Sequence, residues 1–213
     1  MKRLVVVLAL CMVVPTSVFA QDFFQLVKTG TPDQIRAAVA NGAKVEDRNP
    51  ENATPLMLAA RAKDPEVISV LLEAGAKVDD ADWFRQTPLI YAAANKNPQV
   101  ISILIKAGAK VDDRHEKGVT PLIKAAGFNS NPEVITTLVN AGAMVDDVDI
   151  NGLTPLMFAA WINKNPEIVT ALLNAGANGK LKSSKGKTAF DYASSNMKLR
   201  ATEAYTALDK ARF

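Results

Sequence analysis

The side chains most able to do chemistry in this sequence are carboxylates in recurring pairs: Glu46-Asp47, Asp79-Asp80, Asp112-Asp113 and Asp146-Asp147, with Asp82 and Asp149 close by. Paired carboxylates can divide acid and base roles only when their surroundings differ, and a strictly repeated pair offers the same surroundings each time. Catalysis by these groups is not expected. Brought into line, they would form an acidic ladder able to attract calcium or a basic partner. The simpler alternative is that Asp bonds the backbone of its own turn. The loops lack the glycine and spaced oxygen ligands of a dedicated calcium loop, so no metal is expected.

Other chemistry is sparse. The single histidine, His115, and the single cysteine, Cys11, supply neither a metal triplet nor a nucleophile with its base. No serine sits in a Gly-x-Ser-x-Gly turn, and Gly186-Lys187-Thr188 lacks the upstream glycine and strand of a phosphate loop. The expectation is a non-catalytic chain without a cofactor.

Composition points the same way. The 213 residues are 48% apolar and 22% charged, which suits a chain that buries a core. Met1 to Ala20 read as a secretory signal peptide: basic Lys2 and Arg3, an apolar run from Leu4 to Val14, Pro15, then Val18-Phe19-Ala20 before a cut. The run is shorter than the roughly twenty residues that span a bilayer, so no stable membrane insertion is expected after cleavage. Lipidation of Cys11 is disfavoured by the bulk of Leu10 ahead of it. A bacterial exported protein is expected, periplasmic or secreted. Removing Lys2 and Arg3 with the leader brings the 25 basic side chains almost level with the 22 acidic ones, unlike the concentrated basic excess of a nucleic-acid binder.

The elements that position all this repeat. Thr-Pro-Leu occurs at Thr54, Thr87, Thr120 and Thr154, with a degenerate Thr-Ala-Phe at Thr188, at spacings of 33, 33, 34 and 34 residues. A fixed period of this length means a solenoid in which each unit covers its neighbour's apolar face. Within residues 54 to 86, Thr54 can cap a helix whose first residue is Pro55, and Leu56, Met57, Ala59 and Ala60 give it a small-residue face. Asp64 and Pro65 begin a second helix carrying Val67, Ile68, Leu71 and Leu72, which Gly75 ends in the left-handed conformation. Lys77 to Gln86 has turn formers and no helical period, which predicts an exposed loop or short hairpin.

These residues resemble the ankyrin repeat: Thr-Pro-Leu-x-x-Ala-Ala, the Glu-Val-Ile or Glu-Ile-Val helix core, the Leu-Leu-x-Ala-Gly-Ala turn and the Val-Asp-Asp segment. The resemblance implies an all-α solenoid of stacked helix-turn-helix units with short β-hairpin fingers. It places an N-terminal cap at 21–50, repeats at 51–83, 84–116, 117–150 and 151–184, and a C-terminal cap at 185–213. Departures from the family are also visible. The histidine that commonly follows Thr-Pro-Leu is replaced by Met57, Ile90, Ile123 and Met157, so apolar packing must substitute for its hydrogen bonds. An Asn/Asp-Pro junction replaces the usual glycine-histidine turn, and two units hold an extra residue there, within Gly127 to Asn131 and Trp161 to Asn165. His115 stands where the family usually has Asp and is expected to be a solvated side chain at a hairpin tip.

In such stacks the hairpin tips and the exposed side of each first helix form one concave surface that contacts a protein partner. The resemblance puts Trp83, Phe84, Arg85 and Gln86 on one finger, Glu116 and Lys117 on the next and Ile150 on the third; Phe128, Trp161 and Ile162 follow the alanine pairs. Aromatic and arginine side chains there suit protein-binding hot spots. For Phe128 and Trp161 an alternative is that they fill space opened by the extra residues. The expected role is an exported monomer binding another protein, in the periplasm or as a secreted effector or protective factor.

Overall fold

The computed structural model describes residues 16–62 and 64–213. The proposed leader up to Pro15, with Cys11, lies outside the described residues. Twelve helices occur among the described residues, and they alternate between two rows. The first row holds α1 (Thr16–Thr29), α3 (Pro55–Ala62), α5 (Pro88–Ala92), α7 (Pro121–Phe128), α9 (Pro155–Ile162) and α11 (Ala189–Ala193). The second holds α2 (Pro32–Ala40), α4 (Pro65–Glu73), α6 (Pro98–Lys106), α8 (Pro132–Asn140), α10 (Pro166–Asn174) and α12 (Glu203–Ala211). Each helix packs on its pair and on its neighbours in the same row.

Local chemistry explains the boundaries. Thr54, Thr120 and Thr154 accept the backbone N–H three residues on at 3.4, 3.3 and 3.2 Å, satisfying donors that a helix start leaves open. The prolines behind them cost nothing there, because that position needs no donor. Asn97, Asn131 and Asn165 cap the second-row helices by accepting from Gln99, Glu133 and Glu167. Asp64 has the extended cap conformation without a side-chain bond. Gly75, at φ +93°, ends α4, where the Ala76 N–H reaches back to the Leu71 carbonyl at 3.0 Å.

The two rows pack side chains of different size. First-row helices meet through Ala59, Ala60, Ala92, Ala93, Ala125, Ala126, Ala159 and Ala160, all fully buried. Second-row helices bury Val67, Ile68 and Leu71, then Val100, Ile101 and Leu104, and their equivalents onward. Burial of each such chain stabilises by roughly 2 kcal/mol. Small side chains allow closer approach along the alanine row than the Val, Ile and Leu of the second row do. Met57, Ile90, Ile123 and Met157 are also buried in the alanine row, and the Met57 sulfur accepts the Thr54 N–H at 3.4 Å.

The fingers are hairpins, but among the described residues none of their backbone forms regular strand. Each closes through two hydrogen bonds, as in Asp82 N–H to Gln86 O (3.1 Å) and Arg85 N–H to Asp82 O (3.0 Å). Neighbouring fingers share one backbone–backbone bond each, such as Glu116 N–H to Phe84 O at 3.0 Å and Ile150 N–H to Lys117 O at 3.1 Å. One link per finger is too few for a ladder, which is why the expected strands do not develop.

Candidate functional site: a palm of fingers and alanine-row helices

At the base of successive fingers stand Asn49, Asp82, His115, Asp149 and Ser183. Asp149 Oδ1 accepts Asn151 N–H and Leu153 N–H, both at 2.8 Å. Asp82 Oδ1 does the same for Phe84 (2.9 Å) and Gln86 (2.8 Å), and its Oδ2 takes the Tyr91 hydroxyl at 2.8 Å. A charged acceptor strengthens these bonds, so the aromatic finger is fixed to the floor behind it. Burial and the Asp82 carboxylate push the Tyr91 phenol well above its usual range, which keeps it a donor.

The aromatic side chains stay outside this framework. Trp83 and Phe84 are 69% and 49% exposed, although the Trp83 indole N–H donates to the Pro50 carbonyl at 3.2 Å. Ile150 is 68% exposed on the finger that starts at Asp149. At the opposite rim, where the first-row helices end, Phe128 is 62% and Trp161 45% exposed. Phe128 is too open to fill an internal gap, whereas Trp161 is more than half covered. α7 and α9 run eight residues against five in α5, but α3, whose unit has no extra residue, is also eight long. Trp161 leans on Tyr192 with ring centres 5.7 Å apart.

Between the rims runs a floor made by one position of each first-row helix: Leu58, Tyr91, Lys124, Phe158 and Tyr192. Lys28, Arg61, Phe84 and Gln86 border a groove with Leu58 and Tyr91. Lys124 is half-buried, and its ammonium lies 5.1 Å above the Phe128 ring. Desolvation, and then the charge of Arg61, lower its pKa.

The expected site residues thus divide. Phe84 and Gln86 border the groove, while Glu116 and Lys117 are exposed on the third finger. Ile162 is half-buried, and its Cδ1 sits where a Cβ on Gly127 would come within 3.1 Å, so it packs the stack as well as facing the rim. Arg85 adopts φ +61°, where the next two fingers carry Gly118 and Gly152. Its charge acts on Asp113, which leads into the next finger.

Two expectations about titratable groups need correction. His115 is not a solvated tip residue: it is half-buried at the finger base, and its Nδ1 accepts Lys117 N–H at 2.8 Å. Burial, then Lys124, hold its pKa below the usual 6.5. The paired carboxylates mostly reach to neighbouring units rather than to their own turns. Glu46, Asp112 and Asp146 accept backbone N–H of Lys77, Met144 and Asn178 at 3.0, 3.1 and 2.9 Å. Asp80 pairs with Arg48 at 2.5 Å, and Asp147 with Arg114. Among the described residues no three His, Cys, Asp or Glu side chains converge as a metal would require.

One polar feature was not anticipated. Asn129 donates Nδ2 to the carbonyls of Ala93 (2.9 Å) and Asn95 (2.8 Å) and accepts Asn131 N–H at 2.9 Å. Asn163 and Asn196 repeat the arrangement one and two units on. The recurring Asn-x-Asn-Pro at Asn95, Asn129 and Asn163 is the signal that could have revealed it.

Residues 23–115 match the family described as Ankyrin repeats (3 copies), and residues 138–193 match Ankyrin repeats (many copies). No curated protein matches the chain.

Proposed function

Because the chain belongs to the ankyrin-repeat family, whose repeats generally mediate contacts between proteins, we propose that its concave palm holds an extended segment of another protein, without catalysing a reaction. The observation that carries this reading is the set of large apolar side chains left open on both rims: Trp83, Phe84 and Ile150 on the fingers, Phe128 and Trp161 at the helix ends. Exposed apolar groups gathered on one face favour a protein contact, and aromatic rings bury much area while losing few rotamers. The framework beneath them is already hydrogen-bonded, so little ordering is required on binding.

The proposed setting is outside the cytoplasm, after removal of residues 1–20, and the chain acts there as a monomer. Its support is the basic, apolar and small-residue order of that segment.

A photo-crosslinking side chain in place of Lys117, on the palm, tests the surface against the same group in place of Lys106, on the exposed back of α6. Crosslinks to a discrete partner from Lys117 alone are expected. Equal or stronger crosslinking from Lys106 would contradict the palm. Export is checked by osmotic release and N-terminal sequencing, where a mature chain starting at Gln21 is expected and a cytoplasmic, uncut chain contradicts it.

A further inference from the structure

We infer that the palm selects an acidic residue in the segment it holds, seating that carboxylate between Arg61 and Lys124. The inference rests on the palm being a polypeptide-binding surface. Its occupant is an extended segment in which Asp or Glu is flanked by apolar side chains for the rims.

Three observations support it. Lys124 is half-buried, yet among the described residues no carboxylate pairs with it; its ammonium lies over the Phe128 ring, and the charge that acts on it is that of Arg61. A partly desolvated ammonium gains most from a carboxylate brought to it. Arg61 borders the groove beside Phe84 and Tyr91, its charge also acts on Lys124, and among the described residues it is likewise without an acidic partner. Arg36, Arg48, Arg114 and Arg212 are each matched by a carboxylate of the chain, and Arg200 by the Ser194 carbonyl, whereas Arg85, on the neighbouring finger, shares with Arg61 the lack of an ion pair among the described residues.

The third is the side chain at the finger base, which is Asn49, Asp82, His115, Asp149 and Ser183 in turn. The finger base faces the floor: Asp82 accepts from Tyr91, and Ser183 bonds Tyr192 at 3.0 Å. In the unit whose floor residue is Lys124, that base is His115, which offers no negative charge. The acid that occupies the position at Asp82 and Asp149 is missing where the floor is cationic.

The carboxylates nearby do not take its place. Glu51 and Asp82 act on Tyr91, and Asp82 is committed to Phe84, Gln86 and Tyr91; Glu116 acts on His115, as does Lys117 with opposite sign.

Selection of a random displayed-peptide library on the full chain tests this. An enriched acidic residue between apolar ones is expected, with Lys124→Met weakening the selected peptides about tenfold or more. A peptide whose acid is changed to its amide should bind the parent and Lys124→Met alike. His115→Asp guards against misfolding, because it supplies a carboxylate beside Lys124 and an acceptor for the finger backbone; comparable weakening with an unchanged or higher melting temperature is expected. Palm-dependent peptides without an acidic preference, or indifference to both substitutions, would overturn the inference while leaving the palm intact. Binders unaffected by Trp83→Ala with Phe84→Ala, or no binders at all, would overturn the palm reading and this inference with it.

Discussion

The seam between the two helix rows and the palm in front of it are built from the same repeating units, yet they treat polar and apolar groups in opposite ways. In the seam, Asn129 and Asn163 are buried and each makes two donor bonds and one acceptor bond to backbone groups. In the palm, Trp83 and Phe128 stay mostly exposed and Lys124 lacks a carboxylate among the described residues. Positions used to join units are satisfied inside the stack; positions the stack does not need are left for something else. The seam should therefore govern stability, and the palm should govern binding.

The largest stability effect is expected at the seam. Asn163→Ala orphans the buried carbonyls of Ala126 and Asn129 and the N–H of Asn165, and should cost about 3 kcal/mol in urea unfolding. A loss as small as that of a surface substitution would erase the contrast with the palm.

His115 lies on the boundary between the two regions. Burial holds its pKa below 6.5, so the unfolded chain binds the proton first as pH falls. Its contribution is fully present above that pH and declines as pH drops through the lower, folded-state value. Denaturation midpoints from pH 8 to pH 5 should show this decline in the parent and lose it in His115→Asp. That variant should gain about 1 kcal/mol from a second backbone bond, accepted from Val119 N–H, of the kind Asp82 and Asp149 make to Gln86 and Leu153. An unchanged pH profile would place His115 outside the packed base.

A smaller effect is expected at Arg85, whose φ of +61° is one that glycine adopts freely. Arg85→Gly should raise stability by up to about 1 kcal/mol in thermal melts, and a loss would show that its charge beside Asp113 outweighs the backbone strain.

Much of the seam was legible because its signals are local. Thr-Pro at the first-row helix starts, Gly75 after α4 and the apolar spacing between them each act within a few residues of chain. The acidic pairs were harder to read: Glu46 and Asp112 reach one unit onward, and that register exists only once units stack. The Asn ladder had a visible motif whose meaning depends on the carbonyls of the preceding unit. Trp83, Phe84, Phe128 and Trp161 stood out as residues the repeat does not dictate. The Arg61 and Lys124 pair did not, because each is an ordinary basic residue until the stack brings them near each other and places His115 where an acid would otherwise stand.

On the proposed function, palm aromatics grip a polypeptide while the seam holds the fold. The affinity of a selected palm-binding peptide for Trp83→Ala with Phe84→Ala, measured beside the melting curve, tests it most directly. The prediction is about a hundredfold weaker binding with a melting temperature within about 2 °C of the parent. Undiminished binding, or weaker binding accompanied by an equal collapse of the fold, would contradict it.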